Sequence, residues 1–354
     1  MQTDQQKLKV FITSPLERVY VDQIAVLDKQ LIDIGYEPDL LPPTRYVADH
    51  KGSEEFRRSP EQDARWFAHL SQADVLWDFP TLPNNIKNFY DIAPNVKWVQ
   101  TTSSGVGQMV KNLGLQDSEL LISTARGIHA RPLADFVFSA LLSHYKSHAH
   151  LKKEQSERRW ERYCGESVSG KTLAVIGAGG VGKQVMAIGR AFGMRIVALA
   201  SPGSRRTVEE LGADHLYASG DLHDLLAEAD ALVLSMPHTP ETENLIDRDA
   251  IASLKPGAAL VNIARGQVVD EEAMTDALKS GHIGFAALDV FQVEPLPQES
   301  ELWDLPNVLI SPHSASTVDR ENQIITDIFC HNLKCYLEGR TGDMNNILDK
   351  SRMY

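Results

Sequence analysis

The stretch Lys171 to Ser201, KTLAVIGAGGVGKQVMAIGRAFGMRIVALAS, decides the fold. Thr172 to Ile176 is an apolar run suited to a buried strand. Val181 to Phe192 carries apolar residues at helical spacing, and Arg195 to Leu199 is a second strand. Between the first strand and the helix stand Gly177, Gly179 and Gly182, in G-x-G-x-x-G spacing. Gly177 makes a tight turn, Gly179 lets the backbone approach a pyrophosphate, and Gly182 lets helix and strand pack closely. The helix N-terminus then offers unpaired N–H groups and a positive dipole end to phosphates. A glycine turn alone is weak. One that follows an apolar strand and opens an amphipathic helix reads as a dinucleotide-binding βα turn.

Outward from this unit, strands and helices alternate. Upstream, Lys9 to Ser14, Pro38 to Leu41, Ala73 to Phe79, Val96 to Thr101 and Leu120 to Thr124 read as strands. Val21 to Ile34 and Asn85 to Ile92 read as helices, and Lys51 to Asp63 as loop or surface helix. One long helix, Pro132 to Glu157, connects the halves. Downstream come strands at Ala231 to Met236, Ala258 to Ile263, Phe285 to Val290 and Val308 to Ser311. The matching helices are Leu222 to Glu228, Ala250 to Leu254, Glu271 to Ser280 and the terminal Asp319 to Leu337. The alternation predicts an α/β protein of two doubly wound parallel-sheet domains, Rossmann- or flavodoxin-like, with a cleft between them. A substrate domain spans residues 1–125 and is completed by 318–354; the dinucleotide-binding domain spans 126–317. Trp77, Trp98 and Trp160 read as core residues.

The 354 residues, 43% hydrophobic and 23% charged, suffice for two cores. A net charge of -13 disfavours nucleic acid or an anionic membrane as the main partner. The polar start MQTDQQKLKV lacks the apolar core of a signal peptide, and no apolar run reaches spanning length. Cys164, Cys330 and Cys335 show no metal-ligand spacing, and the last two fall on one helix, which is poor disulfide geometry. A cytoplasmic protein with reduced thiols and no metal is expected.

Ligands of open α/β sheets sit beyond the carboxyl ends of the strands. Three reactive side chains follow strands of the second half: Arg265, Glu294 and His313. Singly, each has an ordinary reading as surface charge, turn closer or structural histidine. Together they form a set for hydride chemistry at a carbonyl beside a carboxylate. Arg265 holds the substrate and polarises the carbonyl oxygen. His313 donates the proton on reduction and removes it on oxidation. Glu294 orients the imidazole and favours its protonated form. His129 and His238 are set aside as structural, with no matched acid beside them.

These residues sit in motifs that resemble the D-isomer-specific 2-hydroxyacid dehydrogenases over almost the whole chain: IGAGGVG (Ile176 to Gly182), VNIARGQVVDEEAM (Val261 to Met274), AALDVFQVEPLP (Ala286 to Pro297) and SPHSAS (Ser311 to Ser316). The resemblance implies that Arg265, Glu294 and His313 are the catalytic three. It puts pyrophosphate contacts on Gly180 and Val181, and further cofactor contacts on Met236, Ile263, Ala264 and Asp289. It places a substrate-carboxylate loop of backbone N–H groups on Ser104, Gly105 and Val106. It also implies hinges near Ala125 to Ala130 and Ser314 to Thr317, and a homodimer.

Two positions depart from the family pattern. The usual ribose-binding acid is replaced by Ala200, followed by Ser201-Pro202-Gly203-Ser204-Arg205-Arg206. A carboxylate there would repel a 2′-phosphate, whereas Ser201, Arg205 and Arg206 attract one, so NADP is expected ahead of NAD. Gly107 stands where many relatives carry an aspartate. The expected substrate is a small 2-oxoacid such as glyoxylate or hydroxypyruvate, reduced to the D-2-hydroxyacid. Glu294 speaks against a formate dehydrogenase, and the short segment after His313 against a phosphoglycerate dehydrogenase with a regulatory tail. The rival is a dinucleotide-sensing, corepressor-like binding protein of the same fold.

Overall fold

The computed structural model describes residues 7–81, 88–201 and 203–351. The chain divides into two units, Met1–Ile128 with Thr317–Tyr354, and His129–Ser316.

The first unit is built on a parallel sheet of β1 (Leu8–Ile12), β2 (Ile32–Gly35), β3 (Val75–Trp77), β4 (Trp98–Gln100) and β5 (Leu121–Ser123), in the order β2-β1-β3-β4-β5. That is a flavodoxin-like doubly wound order, with its switch point between β1 and β3. The strands are short and largely apolar on both faces, as burial between helices requires. Helices α1 (Arg18–Ala25), α2 (Pro60–Gln72) and α3 (Gly107–Asn112) belong to this unit. So does the terminal helix Glu321–Leu337, whose Phe329 stacks on Trp98 at 5.0 Å and meets Trp77 edge-on at 5.5 Å.

Three upstream expectations are corrected. The helix expected from Val21 to Ile34 ends at Ala25, because Ile32-Asp33-Ile34 alternates with period two and pairs with β1 in the register Leu8↔Ile32. The strand expected at Pro38 to Leu41 is a 3₁₀ turn, Pro38–Leu40, with proline at its start and no ladder N–H to give. The loop or surface helix expected from Lys51 to Asp63 is helical only from Pro60 and runs on as α2 to Gln72, with a thin buried face of Trp66 and Leu70; its N-terminus is set by a capping box between Ser59 and Gln62. The expected helix Asn85 to Ile92 starts outside the described residues, and its described part holds the 3₁₀ turn Phe89–Asp91.

The second unit carries the sheet β12-β11-β10-β9-β6-β7-β8, parallel throughout. Its strands are β6 (Thr172–Ile176), β7 (Arg195–Leu199), β8 (His215–Tyr217), β9 (Ala231–Leu234), β10 (Ala258–Asn262), β11 (Ile283–Leu288) and β12 (Val308–Ile310). Counted from β6 this is the Rossmann order, with the chain reversing direction across the sheet between β6 and β9. Its helices are α4 (Ala130–Tyr145), α5 (His148–Ser156), α6 (Gly180–Ala191), α7 (Val208–Leu211), α8 (Leu222–Glu228), α9 (Arg248–Ser253) and α10 (Glu271–Ser280).

The single connector helix expected from Pro132 to Glu157 is two helices, parted at Ser147, whose φ is 54°. The apolar face that holds α4 against the sheet ends at Tyr145, and nothing comparable holds α5 in line. Trp160 is not a core residue: it is 99% exposed, in a segment with little secondary structure. Trp66 takes the place in the core list that Trp160 loses.

Candidate active site

The glycine turn joins β6 to α6. Gly177 has φ 102°, and a Cβ there would lie 2.5 Å from the Met236 nitrogen at the end of β9. A Cβ on Gly182 would lie 2.0 Å from the Gly177 carbonyl oxygen, so both positions exclude any side chain. Ser235 Oγ donates to that same carbonyl at 2.8 Å and ties the turn to β9. Gly179 caps α6, and Cβ atoms on Gly179 or Gly180 would meet nothing within 4 Å. The first N–H groups of a helix have no intrahelical acceptor, so Gly180 and Val181 leave donors beside the open space at Gly179 and Gly180. These residues fit a dinucleotide pyrophosphate.

Beside this turn, at the end of β7, Ser201, Arg205 and Arg206 are all exposed; Pro202 lies outside the described residues. The Arg206 guanidinium donates to the Ala178 carbonyl, which places its charge against the glycine turn. Met236, Ile263 and Ala264 are buried at the ends of β9 and β10, so backbone is what they offer a ligand.

Arg265, Glu294 and His313 follow β10, β11 and β12, three adjacent strands. His313 Nδ1 meets Glu294 Oε2 at 2.8 Å, and the other carboxylate oxygen accepts the Phe291 N–H at 3.1 Å. Glu294 is thereby fixed at both oxygens, and the imidazole keeps Nε2 for other partners. Both side chains stay open to solvent, 47% for His313 and 36% for Glu294.

Arg265 is exposed and shaped from below. Asn262, at the end of β10, accepts the Ala264 N–H and donates to the Arg265 carbonyl, each at 3.0 Å. A Cβ on Gly266 would lie 1.9 Å from the Phe291 carbonyl carbon. Gln267 Nε2 donates to the Gln292 carbonyl, and Gln292 Nε2 to the Val269 carbonyl, both at 3.0 Å. The Arg265 and Glu294 loops are therefore pinned to one another. Asn262 and Gly266 were not singled out from sequence. An Asn ending a strand two residues before a polar turn is an Asx signal that could have found the first.

Asp289 is 2% exposed, and burial raises its carboxyl above the ordinary aspartate value. Its Oδ1 accepts from Ser311 Oγ at 2.5 Å, the Ser314 N–H at 2.8 Å and the Ala315 N–H at 2.9 Å. Ser104, Gly105 and Val106 lie in the first unit, between β4 and α3, with open space where a Gly105 Cβ would stand. His238 has an acid beside it after all: the Glu243 carboxylate takes its Nε2, because the turn at Thr239–Thr242 folds the chain back. Among the described residues no group of three or more His, Cys, Asp or Glu side chains could hold a metal ion, and no helix is long and apolar enough to cross a membrane.

A Rossmann-ordered sheet with this glycine turn defines a dinucleotide-binding α/β protein. Residues 138–315 match the model of the NAD-binding domain of D-isomer-specific 2-hydroxyacid dehydrogenases, and the chain belongs to that family of NAD(P)-dependent enzymes. It is 32% identical over 260 residues to glyoxylate/hydroxypyruvate reductase B of Pectobacterium atrosepticum, covering 72% of this chain and 80% of the relative. It is 35% identical over 227 residues to D-3-phosphoglycerate dehydrogenase of Mycobacterium leprae, but that match spans only 42% of the relative's length. A 2-hydroxyacid dehydrogenase from Xanthobacter autotrophicus Py2, solved with NADPH and MES, superposes with a TM-score of 0.72 at 25% identity, over 99% of this chain and 100% of the other.

Proposed function

We propose that the protein reduces a small 2-oxoacid, of the size of glyoxylate or hydroxypyruvate, to the D-2-hydroxyacid, with NADPH preferred over NADH. The observation that carries this reading is the His313–Glu294 pair, 2.8 Å apart, at strand ends of the sheet that bears the glycine turn. The N-terminus of α6 with Gly179, Gly180 and Val181 would hold the pyrophosphate, and Ser201, Arg205 and Arg206 a 2′-phosphate. Ala200 offers no carboxylate to oppose it. When bound, the dinucleotide supplies the hydride.

The chain's own residues do the rest. The Arg265 guanidinium binds the substrate carboxylate and draws charge onto the carbonyl oxygen. His313 delivers a proton from Nε2 to that oxygen, while Nδ1–H stays on Glu294. Backbone N–H groups of Ser104, Gly105 and Val106 hold the carboxylate. The similarity to glyoxylate/hydroxypyruvate reductase B supports the substrate class, and the NADPH-bound relative supports the cofactor. We place the enzyme in the cytoplasm as a homodimer; its three unbridged cysteines suit a reducing compartment.

A steady-state screen of glyoxylate, hydroxypyruvate, pyruvate and bulkier 2-oxoacids, each with NADH and NADPH, tests the reading. The two small acids with NADPH should give the highest kcat/KM. Negligible turnover on every acid despite cofactor binding would instead favour a sensing protein. An NADH affinity equal to or tighter than that for NADPH would remove the cofactor assignment.

A further inference from the structure

We propose that Asp289 is the positioning residue of the proton donor: its carboxylate gathers Ser311, Ser314 and Ala315 into one turn that holds His313 in its working place. The inference rests on the reading that His313 is the acid–base residue.

The argument starts from the backbone. His313 has φ 52°, in the left-handed region. Only a few per cent of non-glycine residues adopt that region, histidine more readily than most, and the conformation is held here by surrounding bonds. Here the His313 N–H is directed to the Asp289 carbonyl at 2.9 Å and to the Ser311 carbonyl at 3.0 Å. The Asp289 side chain then binds both flanks of the histidine. Ser311 donates from two residues before it, and Ser314 and Ala315 donate their N–H groups from just after it.

Asp289 is itself fixed. It follows β11 directly, its N–H donates to the Asn262 carbonyl at 3.0 Å, and its side chain is almost wholly buried. All three bonds converge on Oδ1, and none of the hydrogen bonds described for this residue engages Oδ2. The contact with cofactor implied by family resemblance would fall to Oδ2, so the two roles are chemically separable. Positioning needs an oxygen acceptor at Oδ1 and no negative charge. Electrostatic work on the cofactor needs the charge.

The experiment compares D289N, D289A and S311A with the parent. It reads kcat, NADPH affinity by fluorescence titration, and hydrogen exchange of the Ser311–Thr317 segment. D289A should lose about 100-fold in kcat through misplacement of the imidazole, with the NADPH Kd held within about threefold. D289N keeps an oxygen at Oδ1 and should recover to within about fivefold of the parent, with S311A between the two. Exchange at Ser314 and Ala315 should accelerate in D289A and stay slow in D289N.

If D289N fails as badly as D289A and both lose cofactor affinity, the charge is what matters and the proposal is overturned. Retention of kcat and slow exchange in D289A overturns it as well. Should D289A not fold, S311A decides: a fall in kcat at constant cofactor Kd supports positioning, and an unchanged kcat refutes it. An active H313N variant would sink the acid–base reading alone, because the exchange measurement reports on the Asp289 turn independently of turnover.

Discussion

Two of the molecule's histidine–glutamate pairs, one in each unit, differ in how far they open to solvent. In the second unit His313 and Glu294 sit 2.8 Å apart with 47% and 36% of their side chains exposed. In the first, His50 and Glu321 sit 3.3 Å apart with 14% and 7% exposed. His50 Nδ1 is buried and has no hydrogen-bond partner among the described residues. His313 spends Nδ1 on Glu294 and keeps Nε2 available. Both rings keep a second nitrogen off their glutamate, and the pairs differ in its burial; solvent access at that nitrogen is what the acid–base role proposed for His313 requires.

The parallel extends to an aspartate beside each histidine. Asp49 accepts from the Arg45 guanidinium at 2.8 and 3.0 Å, and from the N–H groups of Arg45, Lys51 and Gly52. Hydrogen bonds from the Arg45 side chain hold its carboxyl well below the usual range. Asp289 has neutral donors only, and burial pushes its carboxyl the other way. The first arrangement stabilises a loop through charge, and the second fixes a loop without neutralising it.

The largest test of this contrast is His313→Asn, for which kcat should fall by about 100- to 10,000-fold with NADPH affinity retained. Parental turnover in that variant would erase the distinction between the pairs. Glu294→Gln, which leaves an amide oxygen for Nδ1, should cost about tenfold in kcat. An effect as large as that of His313→Asn would mean that Glu294 does more than orient the ring. In the buried pair, His50→Gln should leave kcat within about twofold and lower unfolding stability by about 1–3 kcal/mol. Kinetics and denaturant unfolding should therefore rank the two histidines in opposite orders.

Smaller effects separate the aspartates by pH. Because the Asp49 pKa is depressed on folding, its contribution is complete above the unfolded value of about 3.9 and drains away as pH falls through the folded one. The Tm deficit of Asp49→Asn at neutral pH should therefore shrink on acidification. Asp289 has the opposite sign. Its buried charge is a cost at neutral pH that protonation relieves, so Asp289→Asn should not lower Tm there. The smallest effect concerns chemical access to thiols. Iodoacetamide at mildly alkaline pH should label the exposed Cys164 and spare Cys330, whose thiol burial pushes up to about 11. Mass spectrometry of the labelled protein checks it.

The parts of this molecule that were legible in its sequence are those governed by local rules. The glycine spacing between β6 and α6 is dictated by one turn, and apolar strands buried on both faces announce a parallel sheet. The candidate catalytic residues were legible for a related reason, since each stands in the loop that follows a strand. Elements with thin patterns were not. The helix α2 buries only Trp66 and Leu70, and the Ile32–Gly35 strand is four residues long. The break at Ser147 and the exposure of Trp160 depend on where packing partners run out, which periodicity does not encode. The network around Asp289 was invisible for the same reason: its donors come from a loop more than twenty residues away and meet it only once β11 and β12 are paired.

The contact between Gly266 and Phe291 bears on any attempt to change what this enzyme accepts. With no room for even a methyl group, the guanidinium loop and the carboxylate loop behave as one casting. A side chain at position 266 would push the Arg265 loop away from the loop that carries Glu294, moving both residues at once.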